Sequence, residues 1–199
     1  MKRTTALLLT ALFCALLLAG CTQKPAPALP EADYPMELIF SSGAGAWRTI
    51  LALNEDGSFQ GRFSDSNMGE TGKDHPNGTV YLCSFSGRFS ISEKLDDHAY
   101  PLTLEEVTPD RPGGEEWIED GILYVYAGPY GLYNDSADGR MSRSFVLYTP
   151  DTPISALDEN LLSWWPSRFE ETPPETLNCY ALWNVEAGTA FFTYPQTTN

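Results

Sequence analysis

Histidine is almost missing from this sequence: His75 and His98 are the only two in 199 residues. A Ser-His triad therefore has little to be built from, and none of Ser41, Ser84 and Ser86 sits in a G-x-S-x-G turn. Basic residues are scarce as well. Twelve lysines and arginines face 27 acidic residues, a net charge of −15. Phosphates are repelled by such a chain, which excludes nucleic acid as a partner and leaves no basic patch for anionic headgroups. Gly43-x-Gly45 lacks both the Lys-Ser/Thr ending of a phosphate loop and the third glycine of a dinucleotide fingerprint. His75, Cys83, His98 and Cys179 lack the C-x2-C or H-x3-H spacing of a zinc site. Glu115-Glu116, Glu119-Asp120 and Asp96-Asp97 are adjacent pairs, which on a strand point to opposite faces and cannot flank one glycosidic bond. No catalytic residue, metal ligand or cofactor is assigned on these grounds. Long apolar runs are missing too. The longest, residues 6–18, is broken by Thr10 and falls short of the ~20 residues that a membrane span needs.

That short run has a use at the N-terminus. Met1-Lys2-Arg3 supplies a positive start, the apolar stretch follows, and Leu18-Ala19-Gly20-Cys21 ends it with two small residues and a cysteine. This ending resembles the lipobox of bacterial lipoproteins. The resemblance implies cleavage before Cys21 and a diacylglyceryl group on its thiol. Residues 1–20 are then a signal peptide, and the protein is held by lipid on the extracytoplasmic face of the cell membrane. Loss of Lys2 and Arg3 leaves ten basic and 27 acidic residues, a net charge of −17. Acyl chains rather than charge would hold such a protein to a bilayer, each buried CH₂ contributing about 0.8 kcal/mol. Cys14 leaves with the leader and Cys21 takes the lipid, so Cys83 and Cys179 are the one remaining pair. In an exported domain they form either a disulfide or two separately buried thiols.

Residues 22–34 carry Pro25, Pro27 and Pro30 and few large apolar groups. They predict an extended tether with a reach of up to ~40 Å at polyproline II rise. From residue 35 to 199 the pattern is short apolar alternations divided by turn residues, which predicts a single β-domain. Strands are expected at Met36–Phe40, Trp47–Leu53, Phe59–Phe63, Thr79–Phe89, Tyr100–Val107, Ile122–Ala127, Ser144–Tyr148, Leu177–Trp183 and Thr189–Tyr194. Asn54-Glu55-Asp56-Gly57 reads as a hairpin turn, residues 64–77 and 108–121 as loops, and Gly87 as a bend or bulge. Ile154, Leu157, Leu161, Leu162 and Trp165 recur at helical spacing after Pro153 and before Pro166. They predict one helix near 155–165, capped by Ser155 with Asp158. Residues 134–139, N-D-S-A-D-G, mimic the start of a calcium loop, but Phe145 stands where the bidentate Glu is required. Weak calcium binding there or within residues 65–74, or solvated acidic turns, are the alternatives.

Gly45-Ala46-Trp47, the strand after it, the Asp56-Gly57 turn and Phe59-Gln60-Gly61 with Phe63 together resemble the opening of a calycin barrel, the lipocalin and avidin superfamily. The resemblance implies a closed antiparallel meander barrel of about nine strands. Its Trp47 would be buried at one end beneath the helix, with Phe59 and Phe63 facing it and the opposite mouth open to ligand. The same stretch, with residues 83–89, is similar to a group of bacterial cell-surface lipoproteins without an assigned activity.

Aromatic residues are the one excess, 25 of 199. Tyr130 and Tyr133 lie in a glycine- and proline-containing loop, and Trp164 sits beside the helix's core tryptophan. Flat rings with polar tips suit stacking on sugars or small aromatic molecules, so these three are the candidate ligand-binding residues. The expected function is non-catalytic binding of a small molecule or glycan. The alternative is a protein-interaction or envelope-maintenance module that presents its acidic surface to a protein partner, and a hydrolase ranks third.

Overall fold

The computed structural model of the chain describes residues 26–43, 45–133 and 140–194. Cys21, the leader and residues 134–139 lie outside them. Ten strands follow one another: β1 (Met36–Ser41), β2 (Trp47–Leu53), β3 (Ser58–Asn67), β4 (Thr79–Ile91), β5 (Ala99–Pro109), β6 (Glu116–Glu119), β7 (Ile122–Tyr126), β8 (Ser144–Tyr148), β9 (Ala181–Asn184) and β10 (Thr189–Phe192). Eight of them, β1 to β5 and β8 to β10, pair antiparallel in chain order. The ring closes where β10 meets β1. Closure removes the unpaired edges that a sheet of short strands would otherwise expose.

The turn chemistry is local. Asn54 closes the β2–β3 connection, accepting from Gly57 N (3.0 Å) and taking Ser58 O through its own N–H (2.8 Å). Gly57 sits at φ +82°, and a Cβ there would meet the Phe89 carbonyl oxygen at 2.4 Å, so only glycine fits.

β4 changes partner part of the way along. Its second half pairs with β5, while Thr79–Leu82 pairs with β7 in parallel. Ser84 O accepts from Asp110 N (2.9 Å), but the split would leave Ser84 N without a ladder partner. The Tyr126 hydroxyl fills the gap, accepting from Ser84 N (2.8 Å) and donating to Ser84 O (3.2 Å). β6 and β7 thus form a ribbon on the barrel wall; β7 lies in a stretch predicted as a strand, whereas β6 falls where the sequence pattern predicts a loop over residues 108–121. The expected irregularity near Gly87 is a register shift between Arg88 and Phe89, with Glu105 of β5 the extra residue.

The barrel is filled. Phe40, Phe59, Phe85, Phe89, Phe145 and Phe191 point inward with a set of leucines, all buried. Gly61 and Gly87 make room for them: a Cβ on Gly61 would stand 2.3 Å from the Phe85 ring, and one on Gly87 2.3 Å from the Phe59 ring. Small positions opposite large ones are how a narrow barrel packs its interior. The mouth opposite Trp47, which the calycin resemblance leaves open to ligand, is covered by Leu29 and Pro30.

Both ends are covered. At the lower end, where β2 finishes and β9 begins, Leu29 and Pro30 are buried, and Tyr34 donates its hydroxyl to Pro30 O (2.8 Å) beside Tyr100 and Tyr180. The stretch able to act as a tether therefore ends at Ala28 instead of Tyr34, because residues 29–34 are spent closing the barrel. A second apolar cluster covers the outer face of β9 and β10, where Trp183, Ala190 and Phe192 meet Leu161 and Trp165.

The helix is shorter than its periodicity suggests. A single 3₁₀ turn at Ile154–Ala156 is followed by extended backbone at Leu157, and only Glu159–Trp164 (α1) is α-helical. Asp158 rather than Ser155 is the cap, accepting from Asn160 N at 2.8 Å. Five apolar residues at helical spacing serve equally well in two short turns, because Pro153 and Pro166 leave little length between them. None of the described helices is long and apolar enough to cross a membrane.

Cys83 and Cys179 are separately buried free thiols, the second of the two alternatives, and not a disulfide. Cys83 belongs to the barrel core and Cys179 to the outer cluster under α1. Burial pushes the Cys83 thiol up to about 11, aided by the Asp110 carboxylate, and the Cys179 thiol up to about 12. Neither should react with a thiol reagent at pH 8 until the chain unfolds. The unfolded thiols ionise near 9, so between about 9 and 11 the folded state holds more protons. Denaturant midpoints should hence fall as pH rises through that window. Alkylation mapped by mass spectrometry, and midpoints measured from pH 8 to 11, check both statements.

Candidate functional site

At the upper end, where β1 finishes and β2 starts, the chain after β7 folds back over the barrel mouth. Two polar residues at inward positions hold it there. Thr49 on β2 and Asn184 on β9 are fully buried among hydrophobic neighbours, and each needs a partner to offset its desolvation. The Thr49 hydroxyl donates to Tyr130 O (2.9 Å), and Asn184 Nδ2 donates to Gly131 O (2.9 Å). Leu132 then drops into the core with no exposed surface. Gly131, at φ +89°, lets the backbone pass within reach of Phe40 and Phe191, whose rings would lie 2.8 Å from a Cβ. The loop is thus a fitted plug, and Tyr130 and Tyr133 are placed by it.

An aromatic cluster surrounds the plug. Trp47 meets Phe40 edge-on at 4.8 Å and Tyr130 at 5.0 Å, while Tyr130 lies 5.4 Å from Phe63. Trp47 is half-buried at the rim and not enclosed as expected, although Trp164 of α1 does reach over to it, 6.5 Å away. Phe59 and Phe63 both face inward, but only Phe63 stands at this end.

The plug borders a partly open cavity of about 240 Å³ lined by Phe40, Phe63, Tyr130, Gly131, Tyr133 and Thr189, with Ala127 and Gly128. Of the three candidate ligand-binding residues, the fold brings Tyr130 and Tyr133 to this cavity. Trp164 packs against the far side of Phe40 at 4.9 Å and donates Nε1–H to Gly188 O (3.0 Å), so it is not part of the lining. The sequence marks Phe63 only as a ring facing Trp47, and Phe40 and Thr189 only as strand residues, because alternation does not tell which inward side chains border a cavity.

Apart from backbone, the lining is polar only through hydroxyls. Burial raises the Tyr133 phenol above its ordinary value, helped by the neighbouring Cys83, and keeps it a neutral donor. The Thr189 hydroxyl is buried without a hydrogen-bond partner among the described residues. Such a lining can stack, exclude water and exchange one or two hydrogen bonds. Among the described residues it holds no carboxylate, imidazole or amine to move a proton during a reaction. Among the described residues no three His, Cys, Asp or Glu side chains group as a metal site. Set against known proteins, the chain matches no family model, no curated protein and no solved structure.

Proposed function

We propose that this protein is a lipid-anchored, extracytoplasmic binding protein whose barrel mouth holds a small molecule built on a single apolar ring. The cavity lined by Tyr130 and Tyr133 carries this reading. Its volume lies below the ~300–1,000 Å³ of sites for larger ligands, yet above the ~150 Å³ that takes benzene, so one ring fits and an acyl chain does not. A free sugar is disfavoured there, because most of its hydroxyls would face Phe40, Phe63 and Ala127 unpaired. Membrane attachment rests on the Leu18-Ala19-Gly20-Cys21 lipobox, and kinship with calycins on the Gly45-Ala46-Trp47 opening together with the closed barrel.

Trp47 makes the cavity visible, since Tyr130 lies between it and the bound ring. Titration with phenol, indole and methyl glucoside should change tryptophan emission with the first two and leave it unmoved with the third. Tyr133→Ala and Thr189→Val should each weaken the response at least threefold without changing the melting temperature by more than a few degrees. Unchanged emission with all three compounds would overturn the reading. A protein-interaction module is favoured by one separate observation. β6 ends the sheet with Ile118 half exposed, next to the stacked Trp117 and Tyr124 rings. Mass spectrometry of gently purified material separates the two, a retained small molecule favouring the cavity and a retained protein the β6 edge.

A further inference from the structure

On the outer wall, away from the mouth, β3, β4 and β5, with Glu37 of β1 and Ile50 and Ala52 of β2, build a groove whose exposed lining is more polar than apolar. The cause is side-chain length. β4 presents the short Ser84 and Ser86 outward, whereas its neighbours present Gln60 and Arg62 on one side and Thr108 on the other, with Asp110 just past β5. Two depressions result, about 560 and about 250 Å³, and they share Gln60 and Ser86. From Ser84 to Arg88 the floor runs about 13 Å at the strand rise, longer than one ring.

We infer that this groove binds a neutral oligosaccharide. Each sugar hydroxyl both donates and accepts, and the walls offer both roles side by side. Arg62 donates, Asp110 and Glu37 accept, and Gln60 and the two serines do either. The Arg62 backbone is paired in the β2–β3 and β3–β4 ladders, but its exposed guanidinium forms no ion pair or hydrogen bond among the described residues, so those donors are available. An anion is disfavoured: the carboxylates of Glu37, Glu106 and Asp110 outnumber the guanidiniums of Arg62 and Arg88, on a chain of net charge −15. An extended peptide is disfavoured as well, because the backbone groups of β3 and β4 are committed to their ladders.

The test is isothermal titration of the protein with cellohexaose, maltohexaose and chitohexaose. Hyaluronan fragments and an extended Ser/Thr-rich peptide serve as competitors of other chemistry. Binding of at least one neutral hexasaccharide is expected, lost tenfold or more in Arg62→Ala and Gln60→Ala and blocked in Ser86→Trp, each with an unchanged melting curve. Tyr133→Ala should leave it intact, which separates this site from the mouth cavity. Three results would overturn the inference: no neutral sugar bound at millimolar concentration, sugar binding indifferent to Arg62→Ala and Ser86→Trp, or preference for hyaluronan or the peptide.

Discussion

Phe85→Ala should destabilise the barrel by about 3–5 kcal/mol, which for a chain of this size lowers the melting temperature by roughly 6–20 °C. Phe85 is buried and lies directly opposite Gly61 in the β3–β4 ladder, with its ring over the glycine. Removing the ring opens a cavity that the rigid closed sheet cannot collapse into. Gly61→Ala should also destabilise, by about 1–3 kcal/mol, since its methyl would stand 2.3 Å from that ring and 2.9 Å from Leu51. The two changes share one space. Combined, they should therefore cost clearly less than the sum of the single effects, because the new methyl partly fills the hole. Chemical denaturation of the two single variants and the double variant measures the coupling. Strict additivity would mean that the ring does not occupy the space above Gly61.

Cys21→Ala should abolish lipid labelling entirely and leave the protein as unprocessed precursor or released from the membrane. The change is all-or-none because the thiol is the proposed acceptor of the diacylglyceryl group, and no other side chain of the Leu18-Ala19-Gly20-Cys21 motif could take it. Two or more acyl chains give lasting attachment where charge contributes nothing, so a carbonate wash should not remove the wild type. Incorporation of labelled palmitate, read beside fractionation, checks both statements. Label retained by the Cys21→Ala variant would remove the lipobox reading. A lipid at Cys21 would also orient the barrel. Leu29 enters the fold at the lower end, so the mouth with Tyr130 and Tyr133 would face away from the bilayer.

The alternation of residues determined most of the strands. β2 and β8 span the stretches that their pattern predicts, and the Asn54–Gly57 turn placed β2 beside β3 without reference to the rest of the chain. Period-two burial and turn residues act over a few positions, which is why they are legible. The Gly45-Ala46-Trp47 opening pointed toward a closed barrel, and the eight-stranded ring agrees with it. Long-range packing decided the remainder. Glu116–Glu119 became a strand only because the freed half of β4 had a partner to recruit in β7. The helix shrank to six residues because Leu157 is extended between two short turns. Leu29 and Pro30, in a proline-rich stretch that reads as a tether, were drawn in to close an end of the barrel. The cavity belongs to the same class of outcome. Tyr130 and Tyr133 were visible as loop aromatics, but hydrogen bonds from Thr49 and Asn184, 81 and 53 residues distant, set the plug that carries them. Composition and spacing along a chain can name such side chains. Which of them meet is decided by the desolvation of two buried polar groups that only the folded barrel creates.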